Sequence, residues 1–206
     1  MNILQKKYWE SKDANMKEMI GNKDYQHFIE KDTQEVIDLV APYAKGNVLE
    51  LACGIGRFTS LLAKISDNVT AVDFIEKFID ENKKLNASFD NIKYIQADVC
   101  ELESTSDKYD HIFINWLLMN ISDEATIQVV DYLRDNVKFG GTIYLRESCF
   151  CSSNPNKSIQ ISNYRSDRYY EELFSSGFEI VDKGNINAYE FHYGNKNQIW
   201  WILRRI

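Results

Sequence analysis

From Asn47 onward, short apolar runs alternate with stretches whose apolar residues return every third or fourth position. The short runs predict strands at NVLEL (47–51), NVTAVD (68–73), IKYIQAD (92–98), YDHIFIN (109–115) and GTIYLRE (141–147), since runs of this length suit strands buried on both faces. The longer period predicts amphipathic helices at GRFTSLLAKI, IEKFIDENKKLNA and DEATIQVVDYLRDNV, each with one apolar face. Strand, helix, strand in repetition is the mark of an α/β fold with a parallel sheet and helices on both faces. After Glu147 the pattern changes to a polar stretch carrying Pro155, SCFCSSNPNKSIQISNYRSDRYY. A short helix and three strand-like segments follow, FEIVDKGN, NAYEFHY and QIWWILRRI, and an antiparallel end to the sheet is expected. The first 33 residues read as helical and precede the first strand, so they are placed to cover the carboxyl edge of the sheet as a lid.

Composition narrows the function. With 206 residues, 44% of them hydrophobic and 13% aromatic, the chain suffices for one substantial core, and residues 1–206 are expected to form one domain. A net charge of −7 argues against nucleic acid, whose phosphates need a basic face. A small polar molecule is the expected partner. Cys53, Cys100, Cys149 and Cys151 lack the paired spacing of a zinc site, so no metal is expected, and reduced thiols place the protein in the cytoplasm. The N-terminus has no apolar stretch of signal-peptide length, and HIFINWLLMNI is shorter than the roughly 20 residues that span a bilayer, so no membrane association is expected.

The candidate chemistry begins at ELACGIGRFT (50–59), where the first strand meets the first helix of the alternating region. An open parallel sheet binds ligands at the carboxyl ends of its strands, and Gly54 and Gly56 allow backbone N–H groups to approach one closely. The dinucleotide fingerprint needs a third glycine, but Thr59 stands in its place. Glu50 would repel a pyrophosphate and suits a cation instead. The second strand ends in Asp73, where a carboxylate can accept from both ribose hydroxyls. Asp98, after the third strand, is placed to accept from an adenine amine. Any one of these acids alone reads as a helix cap or a solvated loop residue. Three at successive strand ends point to a ligand.

This arrangement resembles the class I S-adenosylmethionine-dependent methyltransferases over about residues 45–147. The resemblance implies a doubly wound, mostly parallel seven-stranded Rossmann-like sheet with an antiparallel C-terminal strand. It implies S-adenosyl-L-methionine as cofactor, leaving as S-adenosyl-L-homocysteine. The loop would lie against the methionine part, Asp73 would bind ribose and Asp98 adenine, with Phe74 and Val99 beside them. Asn115 would offer its carbonyl to the cofactor's amino group. Ala52 stands where the family usually has its first glycine, which crowds the loop.

Segments outside that core are more specific. VLELACGIGRFT, NWLLMNISDEA, LRESCF, YRSDRYY and the closing NQIWWI look like the phosphoethanolamine N-methyltransferases, in particular the domain that adds the first methyl group. The opening KKYWESKDANMKEMI matches that family's N-terminal lid, and residues 148–176 correspond to a substrate-binding insertion. The resemblance implies phosphate contacts from Tyr164, Arg168 and Tyr170, with Arg165 beside them; guanidinium forks and phenol donors suit a phosphate dianion. Without it, the tyrosines also read as a helix core stripe and the arginines as solvated. Trp116 would wall the site. Asn120 departs from the tyrosine or histidine common in relatives. No general base is evident: His111 lies inside a strand, His27 and Tyr8 lie in the lid, and His192 lies in the last hairpin, with Tyr8 and His192 the candidates for reaching the site. Positioning and desolvation are the expected source of catalysis. The competing readings are a different small amine or hydroxyl acceptor, a methyltransferase-like binding subunit without turnover, and a nicotinamide oxidoreductase.

Overall fold

The computed structural model describes residues 3–20, 26–153 and 162–206. Seven strands form one sheet: β1 (Asn47–Leu51), β2 (Asn68–Asp73), β3 (Ile92–Gln96), β4 (Tyr109–Asn115), β5 (Val137–Ser148), β6 (Phe178–Asn185) and β7 (Gln198–Arg205), in the order β3-β2-β1-β4-β5-β7-β6. The first five are mutually parallel, while β7 runs antiparallel to both β5 and β6. The chain winds outward from β1 through β2 to β3, then returns to β4 on the other side. The carboxyl end of β1 is thus the switch point at which such sheets open a crevice.

Helices cover both faces. On one face lie α3 (Gln26–Val40), α4 (Thr59–Ile65), α5 (Glu76–Leu85) and α8 (Asn187–Tyr193), whose Val36, Leu62, Ile79 and Tyr189 pack with Val48, Ala71 and Trp200 of the sheet. On the other, α6 (Asp123–Asn136) and α7 (Asp167–Phe174) bring Val129, Leu133 and Phe174 against Leu49, Ile112, Leu145 and Trp201. Residues of opposite parity in β1 and β7 therefore enter different cores, as the two-residue period of a strand requires. Ser122 begins α6 because its Oγ accepts the Ala125 N–H, and Ser166 begins α7 in the same way from the Tyr169 N–H at 3.2 Å.

Two short helices, α1 (Ile3–Glu10) and α2 (Met16–Ile20), precede α3. Lys6 of α1 pairs with Asp98 at 3.2 Å, and the Glu10 carbonyl accepts from Lys77 Nζ at 2.6 Å, so α1 is tied across the carboxyl edge of the sheet. Residues 1–2 and 21–25 of the N-terminal segment, residues 154–161 of the 148–176 segment with Pro155 among them, and the side chain of His27 lie outside the described residues.

One segment differs in kind from its reading in the sequence. NAYEFHY was read as strand-like; it is α8. Its alternating aromatics imitate a strand, but Tyr189 and Tyr193, four apart, share the α3-facing side, and Gly194 ends the helix at φ 69°. Two boundaries also shift: β3 stops at Gln96 because Asp98 caps a 3-10 turn at Val99–Glu101, and β5 runs from Val137, earlier than read.

Candidate active site

The cleft at the switch point is lined by the carboxyl ends of β1 through β4 and roofed by Trp9, Met16 and Met19 of the N-terminal helices. Glu50, Ala52, Gly54, Asp73, Phe74, Asp98, Val99, Asn115, Trp116 and Asn120 all face it. Its charged lining, among the described residues, is three carboxylates, Glu50, Asp73 and Asp98, and one guanidinium, Arg57.

The glycine loop is shaped by what it packs on. Gly54 N–H donates to Asp73 Oδ2 at 2.9 Å, and Asp73 Oδ1 accepts the Ile75 N–H at 2.9 Å, so one carboxylate ties the loop to the start of α5. Gly56 has φ +89°, and a Cβ there would sit 2.6 Å from Asn86 Nδ2. It serves the packing of loop on α5 and does not line the cleft. Gly54, at φ +53°, would meet only Met19 Sδ, at 3.7 Å. Ala52 also has positive φ, 55°, a conformation that costs a residue with a Cβ about 1 kcal/mol.

Burial sets the charge state of the acids. Glu50 accepts from Thr59 Oγ1 at 2.6 Å, and burial, with Asp73 nearby, pushes its carboxyl up to about 8. Burial also raises Asp73, to about 6, against the opposing pull of the Ile75 and Gly54 N–H groups. For Asp98 burial is outweighed by the Cys100 N–H and Lys6, which hold it below the usual carboxylate range. Burial disfavours the charged form of Glu50, a cost that a cation beside it would offset.

The wall of the cleft beyond β1 is formed by the end of β4 and the turn after it, with β5 behind. Trp116 has φ 62°, donates through Nε1 to Gln198 Oε1 at 2.6 Å, and has the Arg146 guanidinium 4.6 Å from its ring centre. Arg146 and Arg57 share the buried carboxylate of Asp32 in α3: Arg146 Nη2 lies 2.8 Å from Asp32 Oδ1, and Arg57 Nη2 pairs with Oδ2. Burial alone would raise the Asp32 pKa, but the two guanidiniums prevail and keep it ionised. Asn120 donates to the Trp116 carbonyl at 2.7 Å and accepts from Ser162 Oγ at 3.2 Å.

The residues expected to meet phosphate are not brought to the cleft lining. Tyr170 is 1% exposed and packs in the core against Trp201, so the tyrosine does form a core stripe. Arg165 is 8% exposed and donates to the Leu118 and Ile121 carbonyls and to Asp123. Tyr164 is half-buried and Arg168 exposed, outside the lining. Tyr8 packs edge-on against Trp9, and it is Trp9 that lines the cleft. His192 is exposed and stacked on Phe28 at 4.4 Å, away from the cleft on α8. His111 is fully buried against Thr142 Oγ1, and burial lowers its pKa to about 3.

Of the residues that hold the site from behind, Arg146, Glu147 and Gln198 lie in the LRESCF and NQIWWI segments without a role read for them, and Asp32 has no motif of its own. Asp32 and Arg146 stand 114 positions apart, and only the fold joins them. For Arg146 the local physical signal was a charged residue inside an otherwise apolar strand, GTIYLRE.

Comparison with known proteins agrees with this geometry. Residues 48–141 match the family model of a methyltransferase domain. Along 98% of its length the chain is 35% identical to a phosphoethanolamine N-methyltransferase of Triticum aestivum, covering 43% of that protein. It is likewise 35% identical over 98% of its length to phosphoethanolamine N-methyltransferase 1 of Arabidopsis thaliana, covering 45% of it. The chain therefore spans a little under half the length of these relatives. Phosphoethanolamine N-methyltransferase 1 of Haemonchus contortus, solved with phosphoethanolamine and S-adenosylhomocysteine, superposes with a TM-score of 0.89 at 26% identity, over 98% of this chain and 47% of that one. With its switch-point cleft, its three strand-end acids and these matches, the chain carries a methyltransferase domain and resembles the phosphoethanolamine N-methyltransferases.

Proposed function

We propose that the protein transfers a methyl group from S-adenosylmethionine to the nitrogen of a small phosphorylated amine, phosphoethanolamine being the best-supported acceptor. The observation that carries the reading is the pairing of the cleft's charge pattern with a match, along 98% of this chain, to a little under half of relatives named for that activity. Three carboxylates and one guanidinium suit a ligand with an amino-acid end, a sulfonium and ribose hydroxyls. Glu50 would face the positive portion, Arg57 a carboxylate, Asp73 the ribose and Asp98 the adenine, with Phe74 and Val99 beside the base and Asn115 near the amino group. The space over Gly54 lets such a ligand lie against the loop.

The cofactor supplies an electrophilic methyl group on a sulfonium: as the amine lone pair forms the new C–N bond, the C–S bond breaks and leaves a neutral thioether. The chain's part is alignment and dehydration. Trp116 and Asn120 bound the acceptor side, while Trp9, Met16 and Met19 exclude water from above, the role of a lid for residues 1–33. An amine of pKa about 10 must lose a proton before attack, and we assign that proton to water rather than to His192 or His111. Tyr8 remains a candidate to hold the acceptor from the lid. The 148–176 segment is proposed to complete the acceptor pocket, with Tyr164 and Arg168 nearest in role to a phosphate contact; Arg165 and Tyr170 are assigned to holding that segment.

The phosphate requirement is the test. Initial rates with phosphoethanolamine should exceed those with ethanolamine by at least about a hundredfold in kcat/KM, the worth of two charge-assisted hydrogen bonds. Equal rates would move the assignment to an uncharged amine or hydroxyl acceptor. Tight binding of S-adenosylhomocysteine with no turnover of any small amine would favour a binding subunit.

A further inference from the structure

The turn after β4 is held from both sides by buried ionisable side chains. On its N–H side, the Glu147 carboxylate at the end of β5 accepts three successive backbone N–H groups, from Leu117 at 3.1 Å, Leu118 at 2.6 Å and Met119 at 3.2 Å. On its C=O side, Arg165 donates Nη1 to the Leu118 carbonyl at 2.7 Å and Nη2 to the Ile121 carbonyl at 2.8 Å. Asn163 adds donors to the Met119 carbonyl at 2.7 Å and the Ile121 carbonyl at 2.8 Å. Both charged side chains are buried, and neither lines the cleft.

The turn they hold runs from Trp116 to Asn120, both of which line the cleft. Trp116 enters it in a left-handed conformation that only surrounding contacts sustain in a tryptophan. Asn120 leaves it with its amide pinned between the Trp116 carbonyl and Ser162. A short turn held by a buried carboxyl group on its N–H side and a buried guanidinium on its C=O side has few other conformations available, so the indole and the amide are pre-set for a ligand.

We propose that Glu147 and Arg165 are positioning residues for the acceptor: they clamp the 117–121 turn between them and thereby fix Trp116 and Asn120, with Arg165 acting through the backbone rather than on the acceptor's phosphate. The inference rests on the methyl-transfer reading above. It also gives the LRESCF and YRSDRYY segments a joint task, since a charged residue of each holds this turn.

The test compares Glu147→Gln, Arg165→Lys, Arg165→Ala and the double variant Glu147→Gln/Arg165→Ala, with S-adenosylhomocysteine affinity by calorimetry and kcat and KM for phosphoethanolamine. Each single variant is expected to bind S-adenosylhomocysteine within about threefold of wild type, while Glu147→Gln and Arg165→Ala lose about tenfold or more in kcat, the cost of misplacing a wall by less than 1 Å. Lysine at 165 restores part of the loss. The double variant falls about as far as the worse single one, because both act on one turn. Should Glu147→Gln not fold, Ser162→Ala, which frees the Asn120 amide, is expected to lower kcat in the same direction. The inference is overturned if these variants keep wild-type kcat, if the losses multiply, or if Arg165→Ala raises only the acceptor KM, the signature of a direct phosphate contact. A wild-type chain that binds S-adenosylhomocysteine but methylates nothing overturns the proposed function first, and this inference with it.

Discussion

Asp73 at the end of β2 holds Gly54 of the glycine loop by a 2.9 Å hydrogen bond from the glycine N–H, and takes a second from Ile75 with its other oxygen. The residue assigned to the ribose therefore also builds the loop on which the cofactor would rest. Asp73→Ala leaves two buried N–H groups without an acceptor, at about 1–3 kcal/mol, a cost expected even when no ligand is present. Urea unfolding of the ligand-free protein checks this; unchanged stability with weakened cofactor binding would reduce Asp73 to a ligand contact only.

Two positions in the same loop should respond oppositely to one methyl group. Gly56→Ala sets a Cβ 2.6 Å from Asn86 Nδ2 at a φ of +89° and is expected to destabilise by about 2–4 kcal/mol. Ala52→Gly relieves a φ of 55° and is expected to add up to about 1 kcal/mol, net of the backbone entropy a glycine brings. Melting temperatures of the two variants, moving in opposite directions, are the readout.

Glu50 makes cofactor affinity depend on pH. Free, its carboxyl titrates at about 8, so it is largely protonated at pH 6.5 and must release a proton when a cation binds. Affinity for S-adenosylmethionine should rise between pH 6.5 and 8, by at most about tenfold per unit, and level off above. In Glu50→Gln the rise is absent. Stability of the ligand-free protein runs the other way. A folded pKa above the unfolded value stabilises fully below about 4.5 and the gain is lost as pH rises through 8, so the melting temperature should fall between pH 6.5 and 8.5. Glu147, raised to about 7 by burial, adds to the lower part of that fall.

Arg168 is the exposed arginine of YRSDRYY, and removing it should not disturb the fold. Arg168→Ala is expected to raise the KM for phosphoethanolamine about tenfold or more, as loss of a charge-assisted hydrogen bond does, with the S-adenosylhomocysteine Kd unchanged. Unaltered kinetics would remove Arg168 from the phosphate assignment.

The sheet was legible because its central strands are short and buried on both sides. The bounds of β1, β2 and β4 coincide with the apolar runs NVLEL, NVTAVD and YDHIFIN. The positions of Glu50, Asp73 and Asp98 at the cleft followed from those strand ends. What stayed hidden depends on distant pairing. Nothing near Asp32 marks it as the counter-charge of Arg146, and nothing near Glu147 marks it as the acceptor for a turn some 30 residues earlier. Within YRSDRYY, the placement of Tyr170 was hidden in a different way. The segment's arginines and tyrosines have the chemistry of a phosphate site, yet Ser166 caps a helix inside the motif, and the helical period turns Tyr170 into the core.

The central claim is methyl transfer to a phosphorylated amine, and its most direct measurement is incubation with methyl-labelled S-adenosylmethionine and phosphoethanolamine, resolving mono-, di- and trimethylated products. The account predicts label in N-methylated phosphoethanolamine, together with an equal amount of S-adenosylhomocysteine. Label retained wholly in S-adenosylmethionine, in protein that binds S-adenosylhomocysteine, would contradict it.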